Sequence, residues 1–457
     1  MTHVPAISES TTPFLGFLSP WMTRQRWFAN KGATPILEQI GTWSLQPAEG
    51  AARVVTHLLL DHTVGKPALY QVPLTYRREP LTNSLALVGE FEGEWVYDAP
   101  YDPAYTLSLL DVITSGTESR GDHVWAIGKH TAHDVGSGLV SRVLTGEQSN
   151  TSIIYEHEGQ TPVICKVFRA LHDGENPDVV LQTALAQAGS TAVPAPVGHI
   201  LAEWDDRGEA SGRATGHLAF AQEFLPGVQD AWRVALAAAA AGIDFSDEAR
   251  TLGIATAGVH ATLAASLPIS DVTPADIEAV IGTMHGRLAA AIAEVPELER
   301  CAPAIRDVFE RASRASWPAQ QRIHGDYHLG QVLSVPNHGW VLVDFEGEPL
   351  RPMKERSRLD SPMRDIAGML RSFDYVSGSL AVGGSAPAPQ WSASARAAFE
   401  EGYSEASGRD IRHSRALVDA FELDKALYET VYEARNRPGW LSIPVDAIER
   451  LSARPAG

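Results

Sequence analysis

The stretch 321–349 reads QRIHGDYHLGQVLSVPNHGWVLVDFEGEP, and the rest of the chain is organised around it. Its middle is a predicted β-hairpin. Residues 331–335 and 340–344 are short apolar-rich runs, separated by the turn chemistry Pro336-Asn337-His338-Gly339. With those four residues as the loop, Val335 pairs with Trp340 and Leu333 with Leu342, and Gln331 falls opposite Asp344. The open end of the hairpin then holds an amide oxygen beside a carboxylate, two hard oxygen ligands of the kind Mg²⁺ takes next to phosphate oxygens. Asp326 sits just upstream, in a loop flanked by Gly325 and Gly330. A metal pair plus a third carboxylate on a loop suits phosphoryl transfer. In that chemistry Asp326 orients an acceptor hydroxyl and takes its proton.

Composition narrows the partners. Lys and Arg number 37 against 56 Asp and Glu, a formal charge of −19, which argues against nucleic acid or an anionic membrane as the main partner. A nucleotide remains compatible, because a local cluster with Mg²⁺ can hold a triphosphate. Cys165 and Cys301 form no CxxC unit, so neither a disulfide framework nor a zinc site is expected. No basic segment precedes an apolar run at the start, and no stretch of about 18 apolar residues occurs. The expected location is therefore the cytoplasm. With domains of ~100–200 residues, 457 residues give two or three lobes.

Taken in order, Phe14 to Lys31 is an amphipathic helix candidate, with Ser19 as N-cap and Pro20 in the first turn. From Ile36 to Tyr97 the pattern is β, with strands at 54–61, 67–76 and 94–97 and turn-like sequence from Gly89 to Gly93. Residues 140–144, 145–152 (TGEQSNTS) and 153–155 read as strand, tight loop, strand. A loop of small polar residues can fold over phosphates, which makes Gly146, Gln148, Ser149, Asn150, Thr151 and Ser152 candidates. The GxxxxGK[ST] loop is absent. The next strand, 161–169, carries Lys166, placed as a lysine that reaches the α- and β-phosphates. A helix capped by Asn176 follows, with no glutamate before Ala188. Its Asp178 is read as serving the helix dipole, so Lys166 has no assigned partner.

Helices are expected at 231–241, 249–265, from Thr273 as cap, at 301–317 and at 417–436, with His260 as a packing histidine. Asp360-Ser361-Pro362 caps a further helix whose Asp365 satisfies backbone donors near the 324–331 loop. Residues 378–390 read as a flexible loop. Tyr428, Glu429, Tyr432 and Glu433 fall on neighbouring faces of the last long helix.

HGDYHLGQ (324–331) followed by DFEGEP (344–349) resembles the catalytic and metal-binding segments of the maltokinases, bacterial sugar kinases of the aminoglycoside-phosphotransferase, protein-kinase-like fold. RQRWF (24–28), GEQSNTS (146–152), DSPMRDIAGMLRSFDY (360–375) and ELDKALYETVYEARNRPGWLSIP (422–444) are similar to further segments of that family. The resemblance implies an α+β, bilobal fold with a mostly β N-terminal cap: cap 1–130, nucleotide-binding lobe 131–227, mainly helical acceptor lobe 228–457. It implies ATP and Mg²⁺ as cofactors, with Gln331 and Asp344 as metal ligands. Gln222, Glu223, Phe224 and Leu225 become the hinge against which adenine lies. Maltose would be phosphorylated to maltose 1-phosphate for α-1,4-glucan synthesis, which links the chain to other α-glucan enzymes. His324, Tyr428, Glu433, Arg437 and Trp440 would meet the sugar. The chain departs from the family at Ala29-Asn30, where two glycines are usual, and in the absent helix glutamate. A kinase of another sugar such as glucosamine, or a nucleotide-binding pseudokinase, are the alternatives.

Overall fold

The computed structural model describes residues 13–47, 52–63, 65, 67–82, 86–131, 134–144, 149–206, 212–348 and 351–454. They fall into two compact units, Met1–Val179 with Ala195–Pro226 and Val180–Pro194 with Gly227–Gly457.

In the first unit, chain order runs α1 (Pro13–Met22), β1 (Leu37–Leu45), β2 (Arg53–Asp61), β3 (Ala68–Arg77), β4 (Leu87–Phe91), β5 (Glu94–Asp98) and α2 (Pro103–Ser115). Then come β6 (Glu118–Arg120), β7 (Val124–His130), β8 (Val140–Val143), β9 (Asn150–Glu156), β10 (Val163–Phe168) and β11 (Ala170–Leu171). The unit is completed by β12 (Pro196–Asp205) and β13 (Arg213–Glu223), and α3 (Pro177–Gln187) begins in it. One sheet has the order β1-β2-β3-β5-β4 with β11 on β3; the other has the order β6-β7-β12-β13-β10-β9-β8. β4 runs into the stretch expected as turn from Gly89 to Gly93: residues 89–91 belong to the strand, where Glu90 pairs with Trp95 and Phe91 with Glu94, and the turn is confined to 92–93.

α1 starts six residues before the expected cap and keeps Pro20 inside it. Ser19 is an interior residue whose hydroxyl donates to the Leu15 carbonyl at 2.8 Å. An interior proline costs about 3 kcal/mol. Leu15, Leu18, Trp21 and Met22, packed with Tyr70, Val72 and Leu74, bury enough apolar surface to offset it. The two sheets are tied by Arg169, which is fully buried. It donates to both oxygens of Asp98 at 2.8 and 2.9 Å, and to the Thr151 hydroxyl at 2.9 Å.

The second unit contains β14 (Gln229–Asp230), α4 (Ala231–Ala241), α5 (Ser246–Ser266), α6 (Pro274–Glu294), α7 (Ala302–Ser313), β15 (Val332–Val335), β16 (Gly339–Leu342) and α8 (Met353–Arg356). It ends with α9 (Met363–Val382), α10 (Pro389–Ser407), α11 (Arg415–Asn436) and α12 (Ser442–Ser452). Its core runs through Leu252, Phe309, Leu329, Phe345, Phe373 and Leu427. Thr273 caps α6 in a reciprocal box with Asp276. Of the segment 378–390 read as a flexible loop, 383–388 form the connection, while 378–382 and 389–390 are helical. α9 continues to Val382 with Val376 and Leu380 buried, and α10 already begins at Pro389.

The β15–β16 register differs from the expected one by one residue. Leu333 pairs with Val341 and Val335 with Gly339, because the turn uses only residues 336–338. Asn337 supplies the left-handed conformation there (φ 62°), which asparagine tolerates. Among the described residues no helix is long and apolar enough to cross a membrane.

Candidate active site

In the first unit β10 carries Lys166 opposite Ser152 on β9 and Phe220 on β13. Asn150 and Ser152 alternate onto the Lys166 face. Thr151 points the other way, buried, and accepts from Arg169. The expectation that the Thr151 hydroxyl meets phosphate is therefore corrected: its side chain belongs to the joint between the sheets. Ser149 precedes β9; Gly146 and Gln148 lie outside the described residues. The Lys166 ammonium contacts Asp178 at 2.9 Å, and Asp178 is 1% exposed. Asn176 caps α3 by accepting from the Asp178 N–H at 2.9 Å, which fixes Asp178 in the first turn of the helix. An aspartate at the start of the helix thus supplies the partner missing from the sequence reading. The dipole role assigned to it was incomplete.

Gln222, Glu223, Phe224 and Leu225 end β13 and the strand-to-loop exit. The Glu223 and Phe224 N–H groups donate to the carbonyls of Ala195 and Pro162, both at 2.8 Å. Those two donors are committed to the unit's own backbone.

In the second unit Asp365, buried at the start of α9, organises the 324–331 loop. Its carboxylate accepts from the His324 N–H at 2.8 Å, the Gly325 N–H at 2.9 Å and the His260 ring at 3.0 Å. Burial alone would raise the Asp365 carboxyl, but His260, His324 and the Gly325 N–H hold it below the usual carboxylate range. Gly368, one turn further along α9, lets the helix touch the loop; a Cβ there would lie 2.5 Å from the Tyr327 carbonyl oxygen. The His324 ring stacks on Phe345 with centroids 4.5 Å apart, and its Nε2 bonds the Val343 carbonyl at 3.0 Å. It is 2% exposed and does not line the cavity described below, which corrects its assignment as a sugar contact.

Gln331 ends a 3₁₀ turn, and its amide donates to the Asp344 carboxylate at 3.0 Å. The two side chains meet despite the shifted register. Gln331 faces Val343 along the backbone, and Asp344 then takes a left-handed conformation (φ 64°). Carboxylate and amide are oxygen donors of the hardness Mg²⁺ prefers, so the pair fits that ion.

Asp326 opens onto a cavity of about 500 Å³ within this unit, lined also by Trp232, Tyr375, Lys425, Tyr428, Glu429 and Trp440. Tyr432, Glu433 and Arg437 lie on the same wall, beside His328, Gly330, Gly368 and Ser372, so four of the five expected sugar contacts share it with Asp326. Each carboxylate on the wall has a partner. Lys425 reaches Asp326 at 3.0 Å, Arg371 donates to Glu429 at 2.7 and 3.0 Å, and Arg437 donates to Glu433 at 2.9 Å. The Tyr375 hydroxyl adds a bond to Glu433 at 3.3 Å. Lys425 went unread in the sequence. Its signal was the α11 spacing of 425, 428, 429, 432 and 433, which lays these residues along one face.

Comparison with known proteins agrees with this geometry. Residues 21–102 match the maltokinase N-terminal cap domain, and residues 141–416 match the phosphotransferase enzyme family. The chain is 30% identical over 320 residues to a glucosamine kinase of Streptacidiphilus jiangxiensis, covering 65% of this chain and 70% of that protein. It is 27% identical over 392 residues to a glucosamine kinase of Mycolicibacterium smegmatis, covering 80% and 92%. Among solved structures, a glucosamine kinase in complex with glucosamine, ADP and inorganic phosphate superposes with a TM-score of 0.63 at 22% identity, over 96% of this chain and 99% of the other. A second crystal form of a glucosamine kinase gives 0.68 at 22% identity, over 90% and 93%. The chain therefore belongs to the phosphotransferase enzyme family, as a sugar kinase of the aminoglycoside-phosphotransferase fold with a maltokinase-type N-terminal cap.

Proposed function

We propose that this kinase transfers the γ-phosphoryl group of ATP to a neutral glucose-based sugar, with maltose, giving maltose 1-phosphate, as the first acceptor to test. The observation that carries the neutral-sugar reading is the pairing of Asp326, Glu429 and Glu433 on the cavity wall. A cationic amino sugar meets no wall carboxylate whose charge is not already balanced by a lysine or an arginine. The rings of Trp232, Tyr375, Tyr428, Tyr432 and Trp440 instead offer faces for sugar stacking, and the paired side chains offer hydrogen bonds to hydroxyls.

In this reading Asp326 orients the acceptor hydroxyl and takes its proton. Lys166, held by Asp178, offsets phosphate charge, and Asn150 and Ser152 lie on its face. Gln331 and Asp344 would hold Mg²⁺, which when bound neutralises phosphate charge. Residues 131–227 would handle the nucleotide and 228–457 the acceptor, with 1–130 as the cap. The presence of Asp178 beside Lys166 removes the main ground for a pseudokinase. A cytoplasmic location and a supply of maltose 1-phosphate to α-1,4-glucan synthesis follow from the same reading.

A second reading, phosphorylation of glucosamine, is favoured by the names of the relatives. ATP consumption with Mg²⁺ and no sugar, maltose, glucose or glucosamine decides between them. Turnover highest with maltose or glucose supports the neutral-sugar reading, whereas turnover with glucosamine alone overturns it.

A further inference from the structure

α11 brings one cation to Asp326. The Lys425 ammonium contacts Asp326 Oδ1 at 3.0 Å and Glu348 Oε1 at 3.1 Å, and lies 5.1 Å from the centre of the Tyr428 ring. Glu348 is itself fixed: it is 3% exposed and is bonded by Arg287 at 3.1 Å and Arg351 at 3.0 Å. A lysine normally keeps a flexible four-carbon stem and a mobile point charge. Here three groups hold that charge in place at the cavity wall. Among the described residues Lys425 engages only one of the two Asp326 oxygens, which leaves Oδ2 for an acceptor.

We infer that Lys425 is a positioning and specificity-determining residue: it orients Asp326 toward the acceptor hydroxyl and disfavours acceptors that bring an ammonium group to that end of the cavity. The inference rests on the reading of Asp326 as the acceptor-facing carboxylate. A sugar hydroxyl approaching the pair meets an acceptor in Asp326 and a donor in Lys425, so both its proton and its lone pairs are served. A protonated amino group meets the same carboxylate already neutralised, with a like charge fixed a hydrogen bond away. Repulsion at that range in a partly solvated site changes relative binding by about 10–100-fold. The wall supplies no compensating free carboxylate, because Glu429 and Glu433 are held by Arg371 and Arg437.

The test uses the full-length protein and its Lys425→Met and Lys425→Arg variants. Initial rates are measured with maltose, glucose and glucosamine at saturating Mg·ATP. Lys425→Met is expected to lower kcat on the neutral sugar about 10–100-fold, with little change in KM for ATP. It should raise the ratio of kcat/KM for glucosamine over that for the neutral sugar about tenfold or more. Lys425→Arg keeps the charge and should leave the ratio near that of the unaltered protein. Glu348 retains Arg287 and Arg351 in both variants, and thermal unfolding checks that each is folded.

An unchanged ratio in Lys425→Met overturns the discrimination, and an unchanged kcat overturns the positioning. A ratio that shifts equally in Lys425→Arg overturns the assignment to charge. The unaltered protein's own preference tests the function reading separately. Even if that protein prefers glucosamine, Lys425→Met must increase the preference for the inference to stand.

Discussion

Each unit closes one lysine on one aspartate at nearly the same distance, 2.9 Å for Lys166 and Asp178 and 3.0 Å for Lys425 and Asp326. The two lysine side chains are equally exposed, at 20%, but the aspartates differ: Asp178 at 1%, Asp326 at 18%. A carboxylate sealed from solvent can serve only the groups already around it. One that keeps part of its surface at a cavity wall can leave its lysine for a substrate. On the proposed function the same pair serves as a fixed support in the first unit and as a reactive couple in the second, with acid exposure separating the two roles.

The largest expected effect is at the exposed acid. Asp326→Asn keeps the shape and removes the proton acceptor, so kcat should fall about 10²–10⁴-fold, the usual worth of a positioned general base. Mg·ATP binding, measured by calorimetry, should be retained and the thermal midpoint little changed. A variant that turns over normally would break the contrast at its root.

Acid should separate the units next. In the first, burial lowers His57 to about 3, His199 to about 4 and His217 to about 3, and each is also lowered by a neighbouring cationic or imidazole group. The His217 Nδ1 accepts from the Asn176 N–H at 3.0 Å, a bond that only the unprotonated nitrogen can make. In the second unit His328 is likewise lowered by burial, whereas buried His260 lies against the Asp365 carboxylate. Groups whose folded pKa lies below the ordinary 6.5 bind more protons when unfolded. Their stabilisation is complete above pH 6.5 and is lost as pH falls toward 4. Each of the three costs about 1.4 kcal/mol per pH unit in that window, at most about 4 kcal/mol together near pH 5.5. Hydrogen exchange at pH 5.5 should therefore rise in β2, β12 and β13 before α5 and α9. The opposite order would refute this account of the first unit.

Asp178→Ala probes the sealed pair. Removing one partner of a buried ion pair costs about 3–5 kcal/mol. With a fifth of Lys166 in water, about 2 kcal/mol is expected here, read from urea denaturation. KM for ATP should rise about tenfold and KM for the sugar should hold, the reverse of the pattern expected around α11.

How far these features were legible follows from what each depends on. Gln331 and Asp344 lie within one local stretch, so turn chemistry and spacing sufficed to bring them together, although the register differs by one residue. The error was harmless because the meeting of Gln331 with Asp344 depends on a 3₁₀ turn and a left-handed Asp344 rather than on ladder pairing. Asp178 was in view twelve residues from Lys166 but was judged against an expected glutamate. Lys425 is 99 residues from Asp326, and only the packing of α11 joins them. Thr151 was misplaced for a similar reason. Its side chain answers to Arg169, and through it to Asp98 in the other sheet, a partnership that strand periodicity cannot reveal.

The smallest effect, and the one that most sharpens the contrast, is expected at Arg437. Its side chain is 46% exposed; it donates to Glu433 and lies 4.7 Å from the Trp440 ring centre and 5.5 Å from that of Tyr432. An exposed stack of this kind is worth about 0.5–1 kcal/mol, so Arg437→Ala should raise KM for a neutral sugar about threefold to fivefold with kcat nearly unchanged. Among the described residues, the same substitution leaves the Glu433 carboxylate with the Tyr375 hydroxyl as its side-chain partner at the wall. A cationic acceptor then gains a carboxylate, so KM for glucosamine should fall while KM for maltose rises. Opposite signs for the two sugars would tie acceptor choice to the pairing of the wall carboxylates. A rise in KM for both would mean that Arg437 contributes surface alone, leaving selectivity to the Lys425–Asp326 pair.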